Sequence, residues 1–123
     1  MHRAGPLLAA LVCSGALPAQ AEGDAARGAQ SYAARCGGCH SVEADRIGPR
    51  HAGVFGRRAG SVAGFDYSPA LARSQFVWDA RTLESWLSDP ESLVPGQRMG
   101  YSLSDAAARA DVIAYLATLS SPK

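Results

Sequence analysis

Apolar residues in this chain recur at helical rather than strand spacing. Asp24 is placed to cap a first helix running through Tyr32 to Cys36. Ser68-Pro69 reads as N-cap and first residue of a short helix over Ala70 to Arg73, since proline at that position loses no hydrogen bond. Asp79 caps a third, in which Leu83, Trp86 and Leu87 fall at i, i+3 and i+4 before Asp89-Pro90 ends it. Ser104 opens the last, where Ala108, Val112, Tyr115, Leu116 and Leu119 make one apolar stripe. Between Ile47 and Gly64, glycines and Pro49 recur too often for regular structure. No stretch alternates cleanly with period two. The expected fold class is all-α, small helices joined by long loops.

The first residues follow another pattern. His2 and Arg3 form a short basic start, and Leu7 to Leu17 is apolar and broken only by small residues. Ala19-Gln20-Ala21 then has the small-x-small form of a cleavage site, so residues 1–21 read as a secretory signal peptide cleaved after Ala21. The run is too short to span a bilayer as a helix. A lipid anchor on Cys13 would need a small residue before it, and Val12 stands there. Residues 22–123 remain as one domain of 102 residues. A core that small is marginal by itself.

Cleavage leaves 11 basic and 11 acidic residues, so the mature chain is near neutral. Ten of the 11 basic residues are arginines, and the single lysine is Lys123. There is no basic stripe interleaved with aromatics, which argues against nucleic acid as a partner. Cleavage also removes Cys13 and leaves only Cys36 and Cys39, with no further cysteine for a disulfide.

Those two cysteines stand in Cys36-Gly37-Gly38-Cys39-His40. The spacing puts both sulfurs on one side of a single helical turn, where they can add to the two vinyl groups along one porphyrin edge. His40 then offers its imidazole to the iron. This is the sequence pattern of covalent haem c attachment. A thioredoxin-like dithiol would need a βαβ setting, which is missing. A zinc site would need two more ligands at knuckle spacing, and only His51, His2 and Cys13 are available.

A haem iron held by one histidine needs something on its other face. An open position allows ligand binding or catalysis; a filled one favours electron transfer. Met99 is the mature chain's one methionine and lies in Val94-Pro95-Gly96-Gln97-Arg98-Met99-Gly100, a non-helical loop rather than an amphipathic stripe. Pro95-Gly96 is a turn that can aim it. Its thioether is a soft ligand that favours ferrous iron.

Taken together, the chain resembles the class I c-type cytochromes, close to the mitochondrial and short bacterial members. The resemblance is carried by Gly28 and Tyr32, CGGCH, Gly48-Pro49, Gly53 to Arg57, Gly64 to Tyr67, Trp78, Thr82-Leu83, Pro90, Val94-Pro95-Gly96, Met99 and Arg109 to Leu116, in order and at approximate spacing. It implies helices wrapped around one covalent haem c, with His40 and Met99 as axial ligands. It implies that Gly28 and Tyr32 cross the last helix near Tyr115. It also implies that the Pro49 carbonyl receives the His40 Nδ1 proton, and that Arg57, Tyr67 and Trp78 contact an inner haem propionate. A buried carboxylate needs such donors.

The function implied is that of a periplasmic electron carrier, monomeric, without catalytic residues or stable membrane insertion, passing single electrons between redox partner proteins. Two alternatives come from other classes. One is a haem enzyme or gas-binding sensor with an open or labile sixth position; the other is a dedicated haem subunit of a periplasmic dehydrogenase. Several positions depart from the family pattern. Trp86 stands where many members have tyrosine, Leu71 where asparagine is frequent, and Gln97 where threonine is common. His51 takes a usually apolar position beside the haem, with the expectation of a displaced or solvent-reaching side chain. The lysine ring that many members present to partners is reduced to Arg35 and Arg98, with Glu91 and Asp105 adding acids.

Overall fold

A computed structural model describes residues 1, 2, 5, 13–15 and 22–119. Most of the apolar leader, the expected cleavage site at Ala21 and Lys123 lie outside the described residues. Five helices follow in order: α1 (Ala25–Arg35), α2 (Pro69–Ala72), α3 (Ala80–Ser88), α4 (Pro90–Leu93) and α5 (Ala106–Leu116). Among the described residues the only pairing of strand type is one antiparallel bridge between Arg58 and Val77. The all-α expectation therefore holds.

Side chains set where these helices begin. The Asp24 carboxylate accepts from Arg27 N, and Asp79 accepts from Thr82 N while the Thr82 hydroxyl takes the Asp79 N–H, a reciprocal capping box. The Ser68 hydroxyl accepts from Leu71 N ahead of Pro69, so the second helix spans 69–72, one residue earlier than the pattern indicated. The last helix corrects the reading of Ser104: its cap is Asp105, whose carboxylate accepts from Ala107 N and Ala108 N. The Ser104 carbonyl is taken instead by Arg109 Nη1. The short α4 was not expected. Asp89 ends α3 and at once caps α4 through Ser92, so Pro90 both closes one helix and opens the next.

The first and last helices cross in contact. A carbon added to Gly28 would overlap the Asp111 carbonyl and stand 2.9 Å from Tyr115 Cβ, so only glycine allows this approach. One turn along, the Tyr32 and Tyr115 rings meet at 5.2 Å. Asp111 fastens the crossing. Its carboxylate accepts Arg27 Nε at 2.9 Å, Arg27 Nη2 at 3.1 Å and the Asp24 N–H at 2.7 Å. On the other side of α5, Arg109 Nε reaches Glu84 of α3 at 2.7 Å, and its Nη1 takes the Leu103 carbonyl at 2.8 Å.

Under this frame, Tyr32, Val54, Trp78, Leu83, Trp86, Leu87, Val112 and Leu116 form one buried cluster. Withdrawing each such side chain from water contributes about 1.5–3 kcal/mol. The glycine-rich loop from 47 to 64 follows no regular element, yet it carries Val54 and Ala59 into the same core. It is held to the chain near Trp78 by Trp78 N–H to the Arg57 carbonyl at 2.8 Å and Ala59 N–H to the Phe76 carbonyl at 2.9 Å. The fold thus suspends two loops, 36–64 and 94–103, from a helical frame. These loops carry most of the candidate site.

Candidate haem-binding site

The end of α1 unwinds directly into the cysteine motif. Cys39 N–H and His40 N–H both donate to the Cys36 carbonyl, at 3.1 and 2.9 Å, which makes the motif a single turn. Neither Cys36 nor Cys39 is in a disulfide. Burial and the neighbouring Cys39 push the Cys36 thiol up to about 11, so it is neutral. The turn's outward carbonyls are gathered by one side chain that sequence reasoning missed. Arg46 donates from Nη1 to the Gly37 carbonyl at 2.6 Å and the His40 carbonyl at 3.3 Å, and from Nη2 to the Gly38 carbonyl at 3.3 Å.

His40 Nδ1 lies 2.9 Å from the Pro49 carbonyl. A carbonyl only accepts, so Nδ1 carries the proton and Nε2 is left with its lone pair. Burial lowers the His40 pKa, the Pro49 bond raises it in part, and Arg46 lowers it again. The net result favours the neutral imidazole, the form that binds a metal. Gly48 packs against this ring. A carbon added to Gly48 would overlap Cε1 and sit 2.5 Å from both Nδ1 and Nε2, a position above the ring face rather than at its edge.

His51 is neither displaced nor directed to solvent. Its ring stacks on His40 with centroids 4.1 Å apart and planes 20° from parallel. Its Nδ1 is 2.9 Å from the Tyr32 hydroxyl. Burial first, then His40 and Arg57, hold its pKa down to about 3, so it stays neutral in ordinary solution.

Arg57, Tyr67 and Trp78 come from three segments. Arg57 donates from Nη1 to the Ala52 carbonyl and from Nη2 to the Arg50 carbonyl, while its Nε is buried without a partner. Burial lowers the Arg57 pKa and raises that of Tyr67, each acting on the other in partial compensation. The Tyr67 oxygen accepts Val62 N–H at 3.0 Å, which leaves its own proton to donate. Trp78 is buried, with its ring edge-on to Phe76 and Trp86.

Met99 is half-buried and packs against the cluster that also receives Cys36, Leu71 and Tyr115. Its loop turns at Gly96, whose φ of 91° lies where other residues are strained. Glu91 of α4 clamps the turn, accepting Gly96 N–H at 2.8 Å and Gln97 Nε2 at 3.1 Å. Arg98 ties the loop to the Asp66 carbonyl at 3.3 Å, and the Leu103 N–H returns to the Leu87 carbonyl at 2.7 Å. Glu91 read from sequence only as an acid on the partner-facing side. Its place five residues before Gly96 was the available signal.

These residues fit a covalently attached haem. Two unpaired thiols share one turn, the adjacent imidazole has its ligating nitrogen free, and an orphaned guanidinium nitrogen is buried beside Tyr67. Such a set suits a planar group with a carboxylate edge and an iron centre.

The profile of the family described as Cytochrome c matches residues 25–120. Cytochrome c2 iso-2 of Magnetospirillum fulvum is 47% identical over 87 residues, covering 68% of this chain and 91% of that protein. Cytochrome c-550 of Novispirillum itersonii is 42% identical over 111 residues, covering 79% of this chain and 99% of that protein. Among solved structures, cytochrome cH from Methylobacterium extorquens aligns with a TM-score of 0.74 and 42% identity, over 78% of this chain and 99% of that one.

Proposed function

The chain belongs to the cytochrome c family, whose members carry one covalently bound haem c, and we propose that it is a periplasmic one-electron carrier with His40 and Met99 as axial ligands. Relatives named cytochrome c2 and c-550 are electron carriers rather than enzymes, and carriers of this kind act with redox partner proteins. No helix among the described residues is long and apolar enough to cross a membrane. Residues 1–21 serve as the export signal and residues 22–123 as the carrier domain.

When bound, the haem supplies an iron that alternates between ferric and ferrous states and so takes up and releases single electrons. Cys36 and Cys39 hold it through thioethers. His40 binds through Nε2, and the Pro49 carbonyl fixes its tautomer and strengthens it as a donor. Met99 offers the soft thioether that favours the ferrous state. Arg57, Tyr67 and Trp78 would hold the inner propionate, the unpartnered Arg57 Nε and the Tyr67 hydroxyl supplying donors that make its burial tolerable. With His40 and Met99 both on the iron, the site would exclude a substrate from it. Ligands that stay fixed through the cycle keep rearrangement small.

The observation that carries this reading is the turn 36–40, which joins two cysteines outside any disulfide to an imidazole whose Nδ1 is engaged by Pro49 and whose Nε2 keeps its lone pair. The absorption spectrum of the purified protein tests it. A low-spin ferric spectrum with the weak far-red band of thioether ligation is expected. A high-spin spectrum would instead favour an enzyme or gas sensor with an open sixth position. Co-purification with one dehydrogenase at fixed stoichiometry would make the chain a dedicated subunit.

A further inference from the structure

The proximal imidazole is held on three sides. Its Nδ1 meets the Pro49 carbonyl, the Gly48 backbone covers one ring face, and that coverage leaves the opposite face for the stacked ring of His51. His51 is itself fixed. Its backbone N–H donates to the Ser41 carbonyl at 3.0 Å, and its carbonyl accepts from Val54 N–H at 3.0 Å. Its Nδ1 is joined to the Tyr32 hydroxyl, and Tyr32 also meets the His51 ring edge-on at 5.5 Å. Tyr32 lies in the buried contact between α1 and α5. A continuous chain of contacts therefore runs from the helical frame through Tyr32 and His51 to His40.

Filling space beside His40 would need only an aliphatic side chain. A flat ring that is nearly parallel, and hydrogen-bonded at its far edge, constrains something an aliphatic group does not: rotation of the His40 ring about its Cβ–Cγ bond. We propose that His51 is a positioning residue for the proximal ligand, fixing with Gly48 the plane in which the His40 imidazole meets the haem iron. This rests on the reading of His40 as an axial ligand. The plane of an axial imidazole selects which iron d orbital receives its π-electron density. That choice sets how unpaired spin is shared among the four pyrrole rings in the ferric state.

The experiment is proton nuclear magnetic resonance of the ferric holoprotein, with ¹⁵N-labelled histidine to identify the axial imidazole. The native protein should show one histidine with the large paramagnetic shifts of an iron ligand. If it does not, the ligand assignment itself is wrong and the inference falls with it. Given that signal, His51→Leu should redistribute the four haem methyl shifts, while His51→Phe, which keeps a flat ring against His40, should restore a near-native pattern. A native pattern in His51→Leu overturns the inference and leaves the ligand assignment standing. So does a His51→Phe pattern displaced as far as that of His51→Leu. If His51→Leu does not fold, His51→Val decides, since it too presents no flat ring to His40. Moved methyl shifts then support the positioning role and unmoved ones overturn it.

Discussion

Gly28→Ala should loosen the whole molecule, although alanine is the better helix former. The added carbon would overlap the Asp111 carbonyl and lie 2.6 Å from Asp111 C and 2.9 Å from Tyr115 Cβ, whereas carbons in contact sit about 3.5–4.0 Å apart. The obstacle is backbone, so no rotamer change relieves it, and α1 must move away from α5 by something on the order of 1 Å. Overpacking of this kind costs about 1–3 kcal/mol, and a rigid obstacle puts this site near the top of that range. The gain in helix propensity returns about 1 kcal/mol. The net loss is about 2 kcal/mol. In a domain near 100 residues that lowers Tm by roughly 8–16 °C. Thermal unfolding of the haem-loaded protein, followed by far-ultraviolet circular dichroism and haem absorption together, measures it. Ala26→Gly, at an exposed position of α1, supplies the propensity term alone and should cost about 1 kcal/mol. A Gly28→Ala protein as stable as the native one would refute the close crossing.

Met99→Ala should leave haem covalently bound yet lower the reduction potential, each ~59 mV being a tenfold change in a one-electron equilibrium; an unchanged spectrum and potential would remove Met99 from the iron. Glu91→Ala removes two exposed acceptors from the Gly96 turn. After allowance for exposure this is about 1 kcal/mol of loop stability, or roughly fivefold faster amide exchange at residues 96–98 with little change in Tm; unchanged exchange there refutes the clamp. Arg27, and then the Asp24 N–H, hold Asp111 below the usual carboxylate range, so its ionised form favours the folded state. That contribution is complete above about pH 4 and fades as pH falls through the lower folded value. Asp111→Asn should therefore lag the native protein at neutral pH by a margin that narrows on acidification, and a Tm gap constant with pH would refute this.

What was legible in the sequence was local. Asp24, Ser68 and Asp79 announce their helices because a capping side chain acts within three residues, and the cysteine turn is legible for the same reason. Asp89 misled because one residue ends α3 and begins α4, and a single proline gives no sign of doing both. Ser104 and Asp105 are adjacent capping types, and it is the Asp105 carboxylate that takes the Ala107 and Ala108 N–H groups. Asp111 and Arg27 stand 84 positions apart, and no periodicity links them. His51 was misjudged for the related reason that its environment comes from α1 and from the histidine it covers. Arg46, Glu91 and His51 share one property. Each serves a loop, and loops in this chain take their shape from individual side chains rather than from a repeating backbone pattern.

The crossing of α1 and α5 has a topological meaning as well. A hydrogen bond between residues 87 positions apart joins Asp24, just ahead of α1, to Asp111 in α5, and Gly53 N–H reaches the Leu119 carbonyl from inside the loop they enclose. Residues 24–111 thereby form a closed ring, with the cysteine turn and the Met99 loop strung along it. The entropy lost in closing such a ring rises only slowly with its length, so the expense lies in making the closure at all. Opening the Met99 loop releases one arc and leaves the ring shut. Parting the two helices releases every arc together, and with them the frame from which His40 takes its position. A short covalent bridge between the ends would preserve the ring, and new ends opened at exposed Gly64 would leave the same circuit intact.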